Sequence, residues 1–255
     1  MGPVDVTVAT DVLVTTMLAG VRVVAFLLVA PPFAQKGVPG TVKVAIAMGI
    51  ALAVSPRLER FGDGSTGAFV TALVLQAVTG AALGFAVSLA FSAVQAAGAL
   101  LDLVGGFQMA AAYDPLSATM AGPLQRFYTL TAMTLLFVSD GYQVVLSGLV
   151  RSFDAVPLDA TLDLDRLAAG LTAGLSQMVV AALQVAGPLV VVLFLADVGL
   201  GLLTRVAPAL NAFAMGFPLK ILLTLVMGSL AYVALPGVVE TLTGQGVDLL
   251  TGVTP

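Results

Sequence analysis

The side chains able to do chemistry in this chain are few, and the missing ones decide first. Among 255 residues there is no histidine and no cysteine. That removes imidazole bases, thiol nucleophiles, disulfides and the common zinc ligand sets. No carboxylate cluster is spaced to hold a metal on an apolar face, and no Gly-rich loop of the Walker type is present. An enzyme is hard to build from this inventory, and neither a cofactor nor a metal is expected. What the chain offers instead is polar side chains inside apolar runs. Arg22, Lys43 and Asp140 are the charges; Ser88, Ser92, Gln95 and Asp102 recur at helical spacing, as do Gly170, Gly174, Gln177, Ala181 and Gln184. Ionisable groups at membrane depth are costly, so they mark either function or a paired structural contact. Arg22 and Lys43 have stems long enough to reach a partner or an interface. Asp140 is short: either it is a functional charge at depth, or its run breaks there and the carboxylate is wet. Glutamines in lipid need partners from the protein, and read as glue between helices.

The elements that must carry these groups follow from composition. Apolar residues make up 59% of the chain and charged ones 9%, against roughly 45–50% and about 25% in soluble domains. So few ionic groups cannot cover a water-facing surface. The chain reads as an all-α integral membrane protein. A net charge of −4 excludes the basic stripe that nucleic-acid binding needs. The N-terminal stretch holds Asp5 and Asp11 and no cation, unlike a secretory signal, so the first apolar run is expected to stay as a membrane segment.

A crossing takes about 20 apolar residues as a helix. Runs at 11–34, 41–55, 67–104, 127–150, 167–204 and 217–239 give about six helices. Those at 67–104 and 167–204 exceed one perpendicular crossing. Cations divide almost evenly between alternate connections, so the positive-inside rule leaves orientation open. Gly80, Gly84, Ser88 and Ser92 form a small-residue stripe at four-residue spacing, suited to close helix approach, either within the chain or to another subunit. Between two long apolar runs lies "GGFQMAAAYDPLSATMAGPLQRF" (105–127). Gly105 and Gly106 permit unusual backbone angles, and Pro115 disfavours helix at Asp114. Phe107, Met109 and Met120 supply soft apolar contacts. Read from its residues, this is a connecting loop or a deformable seal.

Three blocks, in order, resemble the FliR family, the export-gate subunits of bacterial flagellar type III secretion, whose injectisome relatives are the SctT proteins. The first is this broken segment, with Gly106, Phe107, Asp114, Pro115, Pro123, Leu124 and Phe127. The second is "LLFVSDGYQVVLSGLVRSFDAVPL" (135–158), and the third "ADVGLGLLTRVAPALNAFAMGFPLK" (196–220), with Gly201, Leu202, Arg205, Pro208, Asn211, Phe213, Gly216 and Pro218. One departure is clear: the family's Asn-Gly-His is Asp140-Gly141-Tyr142 here, so an imidazole role is absent.

The resemblance implies a non-enzymatic subunit of a hetero-oligomeric gate through which unfolded flagellar proteins leave the cell. It implies a FliP-like part over 1–166, a FliQ-like helical hairpin over 167–255, and a location in the bacterial inner membrane at the flagellar basal body. FliP-like and FliQ-like membrane subunits, FlhA-like and FlhB-like export components and the passing substrates are the implied partners, with Arg205 and Lys220 at the hairpin tip facing the FlhA and FlhB subunits. Segment 105–127 is implied to plug the pore, through Gly106, Phe107, Met109, Asp114, Pro115 and Met120. A small-solute transporter is the alternative from another class; the sequence lacks the paired, interrupted repeats such carriers show.

Overall fold

In lipid the backbone must satisfy its own polar groups, so apolar runs of this length become helices. A computed structural model describes residues 3–31, 33–35, 37–61, 65–108, 121–159, 164–207 and 215–228, and every regular element among them is helical. The helices are α1 (Pro3–Val29), α2 (Gly40–Val54), α3 (Thr66–Gly105), α4 (Pro123–Val138), α5 (Gly141–Ala155), α6 (Leu164–Val206) and α7 (Met215–Gly228). A single 3-10 turn, Ser55–Arg57, closes α2. Four helices are long and apolar enough to cross a membrane, and α4 with α5 would count as a fifth, broken span. The described residues therefore build an all-α, multi-pass membrane protein.

The run expected as one helix over 127–150 is two. Ser139 closes α4, and Asp140 takes a left-handed backbone (φ 56°) before Gly141 opens α5. The side chain of Asp140 is exposed on the chain, and the run breaks there. The two over-long runs stay unbroken, α3 with 40 residues and α6 with 43.

Two compact units divide the chain. The first comprises Met1–Leu89, Asp140–Leu175 and Leu242–Pro255; the second comprises Ala90–Ser139 and Ser176–Thr241. In the first, α1 turns Leu18, Ala19, Arg22, Val23, Phe26 and Leu27 inward, a stripe at three- and four-residue steps, and Ala30 just past its end is buried too. Facing it, α2 buries Lys43, Ala47, Ala51 and Val54, and the small alanines let Gly20 stand close to Ala51. Gly80 and Gly84 do the same between α3 and α1: a Cβ at Gly80 would strike the Arg22 carbonyl, and one at Gly84 would lie 2.8 Å from the Phe26 carbonyl oxygen. The first half of the small-residue stripe thus serves packing inside the chain.

In the second unit α6 and α7 pair as an antiparallel hairpin. Lys220 Nζ lies 2.7 Å from an Asp197 carboxylate oxygen, and Gly216 sits against Leu200. Large apolar side chains remain uncovered along α6; Phe194, Leu195 and Leu202 are 62%, 60% and 61% exposed. Patches of that kind demand lipid or neighbouring chains.

Candidate functional site: a clamped corner and a buried arginine

The α3–α4 corner lies in the second unit. Asp102, one turn before the end of α3, has no exposed surface. Its carboxylate accepts the Leu124 backbone N–H at 3.0 Å and the Gln125 backbone N–H at 2.8 Å. These are the second and third amides of α4, which Pro123 opens without needing a donor of its own. The N-cap of α4 is Gly122, which has no side chain to cap with, so Asp102 supplies the cap from a different helix. Its charge also sits at the positive end of the α4 dipole. Glycine at 122 is required, because a Cβ there would run into the Asp102 carboxylate. Gly98 lets the backbones meet; a Cβ on it would stand 2.7 Å from Gln125 Cα.

Asp102 therefore belongs to an internal joint. Its partners are backbone amides 22 and 23 positions further on. Gln95 and Ser92, on the same helix, are half-buried, and the half-buried Ser88 donates to the Phe85 carbonyl at 2.7 Å.

The helix ends on two glycines. Gly105 stands where a Cβ would lie 3.0 Å from Thr224 Oγ1 and 3.1 Å from the Phe107 ring. Gly106 has φ +82°, with the Phe217 ring 3.1 Å from its Cβ position. Phe107 is half-buried. Met109, Asp114, Pro115 and Met120 lie outside the described residues, as does Pro208. Arg205 is exposed in the last turn of α6, where a cation complements the dipole. Pro218 occupies the first turn of α7, and Lys220 is held by Asp197. In α6, Gln177 is half-buried and Gln184 exposed.

The second constellation lies in the first unit and centres on Arg22, which is fully buried. Its Nε donates to Gln76 Oε1 at 2.6 Å, one terminal nitrogen to the Ser152 carbonyl at 2.9 Å, and the other to the Val156 carbonyl at 2.6 Å. The guanidinium lies 4.2 Å from the centroid of the Phe153 ring. Gln76 completes the set by donating to the Leu158 carbonyl at 3.2 Å. These partners are neutral. The positive charge rests on the C-terminal carbonyls of α5, the negative end of that helix dipole, and on an aromatic face. Sequence reasoning singled out Arg22, and held Ser152 and Phe153 only as the Ser-Phe of the second family block; it did not single out Gln76. Gln76 was the one visible signal, an amide inside an apolar run.

Neither constellation is built for bond-breaking. Both tie helix ends to neighbouring helices, and among the described residues no group of three or more potential ligands could hold a metal.

Comparison with known proteins follows the same lines. The family model for bacterial export proteins, family 1, matches residues 13–246. The chain belongs to this family. Flagellar biosynthetic protein FliR of Pectobacterium carotovorum subsp. carotovorum is 29% identical over 237 residues, covering 91% of this chain and 90% of that protein. FliR of Escherichia coli (strain K12) is 33% identical over 201 residues, 78% of this chain and 77% of that protein. Yop proteins translocation protein T of Yersinia pestis is 27% identical over 213 residues, 82% of each. The matched span of the export family takes in the Arg22 node, the clamped corner and the α6–α7 hairpin alike.

Proposed function

We propose that this chain is a non-enzymatic core subunit of a flagellar type III protein export gate, lining and plugging the pore through which unfolded flagellar proteins leave during assembly. The observation that carries this reading is the match to the export family across residues 13–246, with relatives named FliR spanning nearly the whole chain. The geometry supports it. The α3–α4 connection is the place where a long apolar helix stops on two glycines, and it is tied at its base by Asp102. Segment 105–127 is the plug, with Gly106, Phe107, Met109, Asp114, Pro115 and Met120 as its residues.

The apolar side chains left uncovered on α6 suit a subunit walled in by others. FliP-like and FliQ-like membrane subunits are the proposed neighbours, with FlhA-like and FlhB-like components on the cytoplasmic side. The proposed division into a FliP-like part (1–166) and a FliQ-like hairpin (167–255) is one of fold, and the α6–α7 pairing supports its second half. Asp140 and Gly141, with Arg205, Pro208, Gly216 and Pro218, are proposed as family-motif positions, chiefly for backbone shape. Ser88, Ser92, Gln95, Gln177 and Gln184 are proposed for contacts between helices or subunits. The equivalent subunit of an injectisome is the second reading, favoured by the 27% identity to the Yersinia translocation protein.

The test is extraction in mild detergent from cells expressing the tagged chain, with motility scored after deletion. Co-purified FliP-like and FliQ-like proteins and loss of flagella are expected. A lone particle that binds a small solute, in cells that still swim, overturns the reading in favour of a carrier.

A further inference from the structure

We propose that the groove between α1 and α2 binds one anionic phospholipid, with an acyl chain lying along the groove and the phosphate held by Lys43 and the first turn of α2. The site is separate from the export reading and requires only that these two helices cross a membrane, for which both are long and apolar enough.

Both helices belong to the first unit, and two contacts fix their register. Thr16 Oγ1 lies 2.8 Å from Ser55 Oγ, and the Cβ position of Gly20 lies 3.8 Å from Ala51 Cβ. The helices are therefore antiparallel, and the same register brings Leu28, near the end of α1, level with Lys43 in the first turn of α2. Between them runs a cavity of about 720 Å³, lined by Leu13, Met17 and Leu28 on one side and Val44, Met48 and Leu52 on the other. All six are more than half exposed, an apolar surface that calls for a cover. From Leu13 to Leu28 the groove follows α1 for about 22 Å at the helical rise per residue. Its mean cross-section is then about 30 Å², narrow for a helix 10–12 Å across and suited to one extended hydrocarbon chain.

Lys43 stands at the Leu28 end of this groove, next to Val44. It is only 9% exposed, and its side chain has neither an ion pair nor a hydrogen bond among the described residues. Its ammonium is nonetheless not one of the fully enclosed polar atoms, which are the Tyr128 and Thr224 hydroxyls. The stem is covered and the tip reaches the surface. Side chains on a helix lean towards its N-terminus, which aims that tip at the start of α2. There Pro39 offers no side-chain cap. Its carbonyl accepts the Val42 and Lys43 amides at 3.1 and 3.3 Å, and the Gly40 and Thr41 amides are left without a partner among the described residues. No acid lies between Asp11 and Glu59 to neutralise the lysine from this stretch. A cation, free amides and the positive end of a helix dipole thus meet where an apolar groove opens. Together they suit an anion that carries a hydrocarbon tail, and in a bilayer that is an anionic phospholipid.

The test uses the full chain in its native assembly, transferred to nanodiscs holding equal amounts of phosphatidylglycerol and phosphatidylcholine with identical chains. Lipid retained through delipidation, read by native mass spectrometry, is expected to favour phosphatidylglycerol several-fold. Lys43→Gln is expected to abolish that preference and Lys43→Arg to keep it. Equal retention of the two lipids, or an unchanged preference in Lys43→Gln, overturns the site. Glycerol phosphate, a head group without chains, is expected not to compete; competition by it would reduce the site to one for free phosphate and overturn the lipid. A second measurement keeps Lys43 and so does not depend on that variant folding. A photo-cross-linking residue in place of the exposed Met48, activated in native membranes, is expected to yield a phospholipid adduct. A cross-link to another protein gives the groove to a neighbouring helix and overturns the proposal, as does the absence of any lipid adduct.

Discussion

Arg22 and Asp102, each without exposed surface, solve one problem from opposite ends. Arg22, in the first unit, lays its cation on the C-terminal carbonyls of α5; Asp102, in the second, lays its anion on the N-terminal amides of α4. Each is fully buried, and each is bonded to neutral backbone rather than to an opposite charge. A helix end carries about half a unit charge of the needed sign and has unpartnered groups to offer. A membrane protein poor in ionic residues can therefore bury a charge by spending a helix terminus on it. The regions differ in what depends on them. Arg22 joins three helices through donors on both sides of a planar fork and an aromatic ring. Asp102 joins one helix end to another, at the mouth of the proposed plug.

The largest effect is expected at Arg22. Arg22→Met keeps most of the apolar stem but leaves the Val156 carbonyl and Gln76 Oε1 without their donor, and the Ser152 carbonyl with the Val156 N–H alone. Each stranded buried group costs about 1–3 kcal/mol, so a loss of about 3 kcal/mol or more is expected, read as a collapse in accumulated protein or a fall in melting temperature in detergent. Arg22→Lys restores charge without the fork, and should recover only a minor part. Wild-type stability for Arg22→Met would mean that α5 is held by other contacts.

Asp102 comes next, with a different signature. Asp102→Ala removes a cap worth about 1–2 kcal/mol, while Asp102→Asn keeps an acceptor and should lose less. Because the joint lies at the base of 107–121, the alanine variant is expected to leak solutes at expression levels where Arg22→Lys, at equal amount, does not. Equal leakage from both at matched assembly would erase the distinction between a packing node and a plug base.

How much of this was legible beforehand differs residue by residue. That Arg22 was buried and paired could be read from a cation inside an apolar run; its partners could not, because backbone carbonyls of α5 carry no mark in the sequence. Asp102 fell in phase with Ser88, Ser92 and Gln95, and helical periodicity placed it on their face. Its actual partner is a helix start on the far side of the broken segment, and periodicity sees nothing across such a gap. Gly80 and Gly84 announced a close approach, but small spacing alone does not choose the partner; tertiary packing chose α1. The α3 and α6 helices were legible as single long runs. The break in 127–150 was half-legible, since Ser139, Asp140 and Gly141 are turn formers lying in an otherwise apolar stretch.

The smallest effect is expected at that break, and it separates chemistry from shape. Asp140 is exposed with φ 56°, at a position where the family resemblance implies asparagine. Aspartate and asparagine share little as titrating groups, but both tolerate the left-handed backbone that bulkier residues avoid. Asp140→Asn and Asp140→Gly are therefore expected to leave stability and export near wild type. Asp140→Val, forced into the same angle, should lose about 1–2 kcal/mol and pull the α4–α5 junction out of register. Swimming-halo diameter with immunoblotting of the membrane fraction reads both effects. If Asp140→Asn abolishes export while the protein accumulates normally, the carboxylate itself does work in the gate, and the contrast with Arg22 and Asp102 gains a third charge that is neither buried nor structural.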